Sequence, residues 1–143
     1  MDISIRPVAE ADHPAIAALI EALGYPAAIG QVRARLERIA RHPDHTTLVA
    51  VAEGDVVGMV GAYVTPSYEH DAPTGRITAM VVSDKAQRRG IGARLVAAAE
   101  DWVRAQGAGL MMLTSHNRRT GAHAFYRRLG YAETGKRFVK AFS

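Results

Sequence analysis

Cysteine is absent from the 143 residues of this chain. Its absence excludes disulfides, thiolate metal ligands and a cysteine nucleophile. The sequence also lacks any apolar run close to the roughly 18 residues that cross a bilayer. Its first six residues do not combine a charged region with an apolar stretch, so no signal peptide is expected. These absences favour a cytoplasmic protein that does not bind membranes.

Aromatic residues are also few, at 6% of the chain, whereas the net charge is +4. A solvated basic surface explains such a charge as well as an acidic partner does, and that partner could be a polyphosphate cofactor, an anionic substrate or nucleic acid. The basic residues concentrate at 85–94, 118–119 and 127–128. Few aromatic residues accompany them and the sequence shows no recognition-helix pattern, so nucleic acid is not the expected partner.

Hydrophobic periodicity predicts one α/β domain over residues 1–143. The element order is β-α-α-β-β-β-α-β-α-β-β, which predicts an α+β fold with a single, mostly antiparallel sheet of six to seven strands flanked by four helices. The predicted strands are 3–7, 46–52, 56–65, 76–83, 110–114, 131–133 and 136–142. The predicted helices follow Asp12 as an N-cap, run through 29–39 and 91–106, and follow Thr120 as a cap.

Glycines predict two local features of the first half of the chain. Glu53-Gly54-Asp55 separates two apolar, β-branched runs and predicts a tight hairpin turn. Gly58 and Gly61 lie inside the second of these runs, where glycine marks a bulge or a close approach of another element.

The most informative stretch is the turn Gln87 to Gly92, which follows the apolar strand 76–83 and opens the helix 91–106. The first N–H groups of a helix have no intrahelical acceptor, and the helix dipole adds positive potential there. Neighbouring arginines add formal charge, so a phosphate-bearing cofactor is the first hypothesis. The turn has neither a Walker Gly-Lys-Ser/Thr nor the third glycine of a dinucleotide fingerprint, and a purely structural helix start is the alternative.

Two runs carry a family resemblance. The stretch from Met80-Val81-Val82-Ser83 through Gln87-Arg88-Arg89-Gly90-Ile91-Gly92 to Leu95 resembles the central motif of the GCN5-related N-acetyltransferases (GNAT). The later run from Asn117 to Tyr131 is similar to their second motif. The two motifs have the family's order and spacing, and the order of elements matches over essentially the whole chain. Within the family, the segment 113–115 with Arg119 and the segment 122–126 is similar to small-molecule amine acetyltransferases. The segments 55–61 and 137–142 also look like those of aminoalkylphosphonate N-acetyltransferases, which have the most similar pattern.

The resemblance implies acetyl-CoA as the cofactor. Its pyrophosphate would lie on the backbone N–H groups of about Arg89 to Arg94, and the backbone of Met80 and Val82 would bind the pantetheine arm as an added strand. Asn117 lies where the family often has a pantetheine-binding asparagine, although a loop asparagine that closes its own turn is as good a reading. The implied cofactor-binding set is Met80, Val81, Val82, Gln87, Arg88, Arg89, Gly90, Ile91, Gly92, Ala93, Arg94, Asn117 and Tyr126.

Tyr126 is the predicted general acid. When a primary amine attacks the thioester directly, the leaving group is a thiolate, whose thiol has a pKa of about 8.5. A phenol has a pKa of about 10, so a tyrosine is protonated at neutral pH and can donate to the sulfur. The alternative is a half-buried helix tyrosine that only packs.

The general base is less well defined. Many family members carry a glutamate on the strand before the glycine turn, whereas strand 76–83 contains no carboxylate. An alkyl amine must lose a proton before it attacks. Glu69 and His70, with Asp71, precede this strand and could accept that proton directly or through water, or they could form a polar surface loop. His116 and Glu21 are weaker candidates. Glu69, His70 and Asp71 are contiguous and lack the spacing that converges metal ligands, so no metal is expected.

The acceptor site is predicted around Tyr25, Tyr63 and the loop 66–73. Arg76 and Arg33 could hold an anionic group such as a phosphonate or a carboxylate, or they could be surface arginines. Two other functions remain open: acetylation of a protein lysine or N-terminus, and non-catalytic sensing of acyl-CoA.

Oligomeric state is also open. The apolar residues of the last predicted strand, Phe138, Val139 and Phe142, could pair across a homodimer or belong to the core.

Overall fold

The computed structural model describes residues 2–87, 89–115 and 120–143. The chain divides into two compact units, residues 1–112 and 113–143, so a single domain over 1–143 stays a prediction. The strands are β1 (Ile3–Pro7), β2 (His45–Ala52), β3 (Asp55–Thr65), β4 (Thr74–Val82) and β5 (Leu110–Leu113). The helices are α1 (His13–Leu23), α2 (Ile29–Ala40), α3 (Ile91–Ala105) and α4 (Thr120–Arg128). The α+β fold class is confirmed.

One sheet organises the first unit. Its strand order is β1-β2-β3-β4-β5, and each neighbouring pair from β1 to β4 is antiparallel. The connection from β4 to β5 passes through α3, which is the crossover that parallel neighbours require. None of the helices in the described residues is long and apolar enough to cross a membrane.

The two faces of the sheet are covered by different helices. Met59 belongs to a buried cluster with side chains of α1 and α2. Its neighbour Gly58 points to the opposite face, where a Cβ atom would lie 3.0 Å from Leu95 of α3. Leu95 is fully buried, and burial of such a side chain contributes about 1.5–3 kcal/mol. The α3 helix therefore rests on β3 and β4 through its apolar side, as its periodicity predicts.

The β2–β3 hairpin has the predicted tight turn. Ala52 pairs with Asp55, so Glu53 and Gly54 form a two-residue loop. Both have positive φ, 52° and 84°, which is the signature of a type I′ turn. This turn matches the twist of the strands and sets the pairing of β2 with β3 next to the loop.

Asp12 does not act as the predicted side-chain N-cap. It occupies the N-cap position of α1 but makes no capping hydrogen bond to that helix. A 3-10 turn at Glu10–Asp12 turns its carboxylate back, where it accepts bonds from the Arg6 guanidinium (2.7 and 3.0 Å) and from the Ala9 N–H (2.7 Å). The residue ties β1 to the start of α1 instead.

The prediction of two terminal strands at 131–133 and 136–142 is wrong. Residues 131–143 form neither helix nor strand, so the described sheet has five strands rather than six or seven. Phe138 and Phe142 are 91% and 90% exposed and Val139 is 73% exposed, so this segment is not part of the core either. Apolar and β-branched residues fit the pleated surface of a sheet. A segment rich in them forms a strand only where it can pair with the edge of a neighbouring strand. A homodimer stays a prediction.

Candidate functional site

The glycine turn opens α3 as the sequence predicts. Gly90 is the N-cap with φ 75°, a left-handed conformation that glycine adopts without strain. The Arg94 N–H donates to the Gly90 carbonyl (3.1 Å), so the amides that lack an acceptor within the helix are those of Ile91, Gly92 and Ala93. These three amides lie inside the range Arg89 to Arg94 that the resemblance implies for the pyrophosphate, beginning two residues later and ending one residue earlier.

The approach to this turn is fixed by short hydrogen bonds. The Ser83 N–H donates to Val57 O (2.8 Å), and the Ala86 N–H donates to Ser83 O (3.0 Å). The Gln87 side-chain amide lies 3.4 Å from both Val82 O and an Asp84 carboxylate oxygen. Gln87 therefore connects the turn to the end of β4.

Positive charge surrounds the start of α3. Arg89 and Arg94 are exposed there, and Arg88 lies outside the described residues. Partial positive charge from the helix terminus and formal charge from the arginines add in the same place. The site has the electrostatics that a pyrophosphate group requires.

The last residues of β4 present backbone groups to the edge away from β3. The Ser83 N–H bond to Val57 makes the neighbouring Val82–Gly58 pair a non-hydrogen-bonded one. By alternation, the N–H and C=O groups of Met80 and Val82 point away from β3, and those of Val81 point towards it. The Val81 side chain is also buried. The backbone groups of Met80 and Val82 are therefore not engaged with β3, whereas Val81 is engaged in the sheet; binding of the pantetheine arm by Met80 and Val82 stays a prediction.

Strand β5 is too short to cover that edge. It has four residues against nine in β4, or about 13 Å against about 30 Å of strand. The Gly109 N–H donates to Pro73 O (3.0 Å), so β5 enters beside the first residue of β4. Within the described residues of the first unit, β5 therefore leaves unpaired the end of the edge that leads to the glycine turn.

A β-bulge interrupts β4 at Thr78. Gly61 pairs with Ala79 and the next residue, Ala62, pairs with Ile77, so Thr78 has no partner on β3. Thr78 and Ala79 consequently line the same cavity. The predicted irregularity at Gly61 is confirmed, and a Cβ atom there would lie 2.9 Å from Thr78 Oγ1.

The cavity beside the bulge has a volume of about 140 Å³ and lies between the sheet and the α1–α2 pair. Its walls are mainly apolar side chains, among them Ile16, Ile20, Val32, Leu36, Ile39 and Met59. Arg35 and His45 add polar groups. Arg35 is the α2 arginine that reaches this cavity, whereas Arg33, the one predicted from the sequence, is exposed and does not line it.

A row of paired residues crosses the sheet on the cavity side. His45 pairs with Tyr63, and Tyr63 pairs with Arg76, so the three side chains share one face. The His45 and Tyr63 rings stack with centroids 4.9 Å apart. The structure thus brings together two predicted substrate residues, Tyr63 and Arg76, and adds His45, which the sequence did not single out.

His45 also interacts with its neighbour Asp44. His45 Nδ1 lies 3.0 Å from an Asp44 carboxylate oxygen, and this hydrogen bond lowers the pKa of Asp44. The signal in the sequence was the run His-Pro-Asp-His at the start of a strand.

The other predicted acceptor and base residues lie in exposed segments. Tyr25 follows the end of α1 and is 60% exposed. Glu69 and His70 are exposed, and the Ser67 hydroxyl accepts the backbone N–H of each at 3.1 Å. Ser67 therefore holds the backbone of this loop, and its hydroxyl also lies 3.4 Å from a carboxylate oxygen of the exposed Glu69. Their role as base stays a prediction.

Tyr126 lies in α4, in the second unit. The helix ends with a Schellman motif: the Tyr131 N–H donates to Tyr126 O (3.0 Å) and the Gly130 N–H donates to Arg127 O (3.0 Å). The half-buried Tyr126 ring contacts the rings of Phe125 and Tyr131 at 5.0 and 5.9 Å. The packing therefore orients Tyr126. The predicted residues Asn117 and His116 lie outside the described part of the chain.

Sequence comparison links this chain to known proteins. A family model described as the acetyltransferase (GNAT) family matches residues 9–131. An aminoalkylphosphonate N-acetyltransferase of Salmonella typhimurium is 37% identical over 93 residues, which is 65% of this chain and 60% of that protein. The match thus spans about 60% of the length of this curated relative.

Solved structures share the fold. A GNAT family acetyltransferase of Staphylococcus aureus is 27% identical with a TM-score of 0.84, and the alignment covers 99% of this chain and 100% of that one. AAC(6')-Iy in complex with the bisubstrate analog CoA-S-monomethyl-acetylneamine is 19% identical with a TM-score of 0.87, covering 100% and 99% of the two chains.

Proposed function

Because the chain belongs to the acetyltransferase (GNAT) family, we propose that it transfers an acetyl group from acetyl-CoA to the primary amine of a small molecule. One observation carries the proposal: the bulge at Thr78 lies at the inner end of the open β4 edge and also lines the α1–α2 cavity. A donor bound along that edge and an acceptor bound in the cavity would meet at the bulge. Cytoplasm is the expected location.

The donor side fits the chemistry of coenzyme A. Acetyl-CoA would supply the acetyl group as a thioester. The free amides of Ile91, Gly92 and Ala93 would bind its pyrophosphate, and the backbone of Met80 and Val82 would bind the pantetheine amides as a strand does. From Val82 back to Thr78 is four residues, about 13 Å of strand, so the thioester end would lie near the bulge.

The nitrogen loses two protons as an ammonium becomes an amide: one before it attacks, and a second as the amide forms, which balances the proton that the thiolate takes up. The amine nitrogen forms a bond to the acetyl carbon, the carbon–sulfur bond breaks, and the thiolate leaves. Glu69 or His70 would accept the ammonium proton through water, since β4 contains no carboxylate. Tyr126 would hold a proton at its phenol oxygen and donate it to the sulfur, which a group protonated at neutral pH can do.

The acceptor is proposed to carry an anionic group beside its amine. The name of the Salmonella relative describes such an acceptor, an aminoalkylphosphonate. Arg35 reaches the cavity from α2, and Arg76 lies on the cavity side of the sheet next to Tyr63. A guanidinium binds phosphonate or carboxylate oxygens through two parallel hydrogen bonds.

The test is thiol release from acetyl-CoA with a panel of aminoalkylphosphonates, apolar amines, aminoglycosides and lysine peptides. We expect aminoalkylphosphonates to give the highest kcat/KM. Faster turnover of peptides would favour a protein acetyltransferase instead. Tight acetyl-CoA binding with no acetylated product in the whole panel would favour an acyl-CoA sensor.

A further inference from the structure

We propose that His42, Asp44 and His45 form a binding site for a divalent transition metal ion at the rim of the α1–α2 cavity. Each residue offers one potential ligand atom, and these atoms lie within 4.8 Å of one another. Two imidazoles and one carboxylate are a donor set that suits Zn²⁺, Co²⁺ or Ni²⁺. The site is independent of the acetyl-transfer proposal, because it can be filled and measured without any substrate.

The backbone already holds the three residues in a fixed turn. The His45 N–H donates to His42 O (3.1 Å), which closes a four-residue turn, and Pro43 occupies its second position, where proline pre-sets the φ angle. The Val64 N–H donates to Asp44 O (3.0 Å), which ties the turn to the end of β3. Little conformational entropy is then left to lose when a metal binds.

The rings are also positioned. The His45 ring stacks on Tyr63 at 4.9 Å, which restricts its rotation, and the His42 ring lies 5.2 Å from the His45 ring, centroid to centroid. His45 is half-buried, while His42 and Asp44 are exposed. Because His42 and Asp44 are exposed, an ion can reach the site from solvent. The stacked ring of His45 fixes the direction of one metal–nitrogen bond.

The separation of donor atoms matches a metal centre. His45 Nδ1 and an Asp44 carboxylate oxygen are 3.0 Å apart. Two ligands with metal bonds of about 2.1 Å are about 3.0 Å apart at a right angle and about 3.4 Å apart at a tetrahedral angle. A simple ion pair between Asp44 and His45 also explains this distance, but it gives no role to the second imidazole. His42 distinguishes the two interpretations.

The position of the metal site would place a bound ion next to the cavity. His45 lines the cavity, so a metal bound to its ring would lie at the cavity rim. Three protein ligands leave coordination positions open, as in catalytic rather than structural zinc sites. Water or an anionic group of a ligand in the cavity would occupy them.

The experiment is titration of the untagged full-length chain with Zn²⁺ by calorimetry and with Co²⁺ by visible absorption. The wild type is expected to bind one equivalent. His42→Ala, Asp44→Asn and His45→Phe should each weaken the affinity at least about tenfold. His45→Phe keeps a ring that can stack on Tyr63, and circular dichroism checks that each variant is folded.

The control is His70→Ala, which removes an exposed histidine from a different loop. It should leave affinity and stoichiometry unchanged. The proposal is overturned if the wild type binds neither ion, if His42→Ala binds as tightly as the wild type, or if His70→Ala loses as much affinity as the variants of the turn.

Discussion

Gly61 of β3 and Thr78 of β4 are so close that a methyl group on Gly61 would lie 2.9 Å from Thr78 Oγ1. Gly61→Ala should therefore rotate or shift Thr78, whose β-branched side chain has few alternative rotamers. Because the proposed donor and acceptor meet at this bulge, we expect kcat/KM to fall about 10–100-fold, with a stability loss of about 1–3 kcal/mol. Steady-state kinetics and urea denaturation measure the two effects.

Gly30→Ala is the control for that substitution. Gly30 lies in α2, and a Cβ atom there meets nothing within 4 Å. Alanine should leave kcat/KM unchanged and raise stability by up to about 1 kcal/mol. Wild-type activity in Gly61→Ala would exclude a role of the bulge in acetyl transfer.

Removal of the Tyr126 hydroxyl tests the general acid. Tyr126→Phe retains the ring contacts with Phe125 and Tyr131 and removes only the proton donor. We expect kcat to fall about 10²–10⁴-fold while affinity for acetyl-CoA stays near normal. Tyr131→Phe, the same change at the neighbouring ring, should retain most activity. An unchanged kcat in Tyr126→Phe with the true acceptor would rule out the acid role.

Gly75 and Val103 show how closely α3 packs on β4. A Cβ atom on Gly75 would lie 2.9 Å from Val103 Cβ. Val103 is buried, so its side chain cannot move away from the added methyl group. Gly75→Ala should cost about 1–3 kcal/mol by overpacking. The double variant Gly75→Ala/Val103→Ala should lose less stability than the sum of the single variants. Additive losses in urea denaturation would show that the two residues do not compete for space.

The Arg6–Asp12 ion pair predicts a pH dependence of stability. The hydrogen bond from Arg6 lowers the pKa of Asp12 below its unfolded value of about 3.9. A carboxylate with a lowered pKa stabilises the fold fully above the unfolded pKa, and the stabilisation is lost as the pH falls through the folded pKa. Asp12→Asn should therefore cost about 1.5–3 kcal/mol at pH 7 and progressively less below about pH 4.

Urea denaturation of both proteins from pH 7 to pH 3 measures this difference. The raised pKa of Arg6 lies far above this range, so Arg6 stays charged throughout. A gap between wild type and Asp12→Asn that does not change with pH would show that the ionised carboxylate does not carry the stabilisation.

Local signals made much of the fold predictable. The apolar strand, the glycine turn and the α3 stripe lie next to one another in sequence, and Gly90 and Ile91 occupy the positions that this order predicts. The hairpin at Glu53–Gly54 is equally local. By contrast, the segment 136–142 has strand-like composition, but a strand also needs a partner edge, which is a non-local property.

The acceptor side was less predictable because it depends on orientation. Arg33 and Arg35 are both polar positions of α2, and only the folded helix shows that Arg35 reaches the cavity. His42, Asp44 and His45 converge through a turn, which the run His-Pro-Asp-His indicates, and through a cross-strand stack, which the sequence does not show. The direction of the backbone groups at Met80 and Val82 follows from strand pairing and not from residue type.

The short β5 has a consequence for the stability of the sheet. In the function proposed above, acetyl-CoA forms the hydrogen bonds that β5 leaves unmade on β4, so its binding adds to the free energy of unfolding. At a donor concentration 100 times its Kd, such a chain gains about 2.7 kcal/mol of stability. Resistance of the protein to unfolding and proteolysis would then rise and fall with the acetyl-CoA concentration in the cell, and so would the lifetime of the protein.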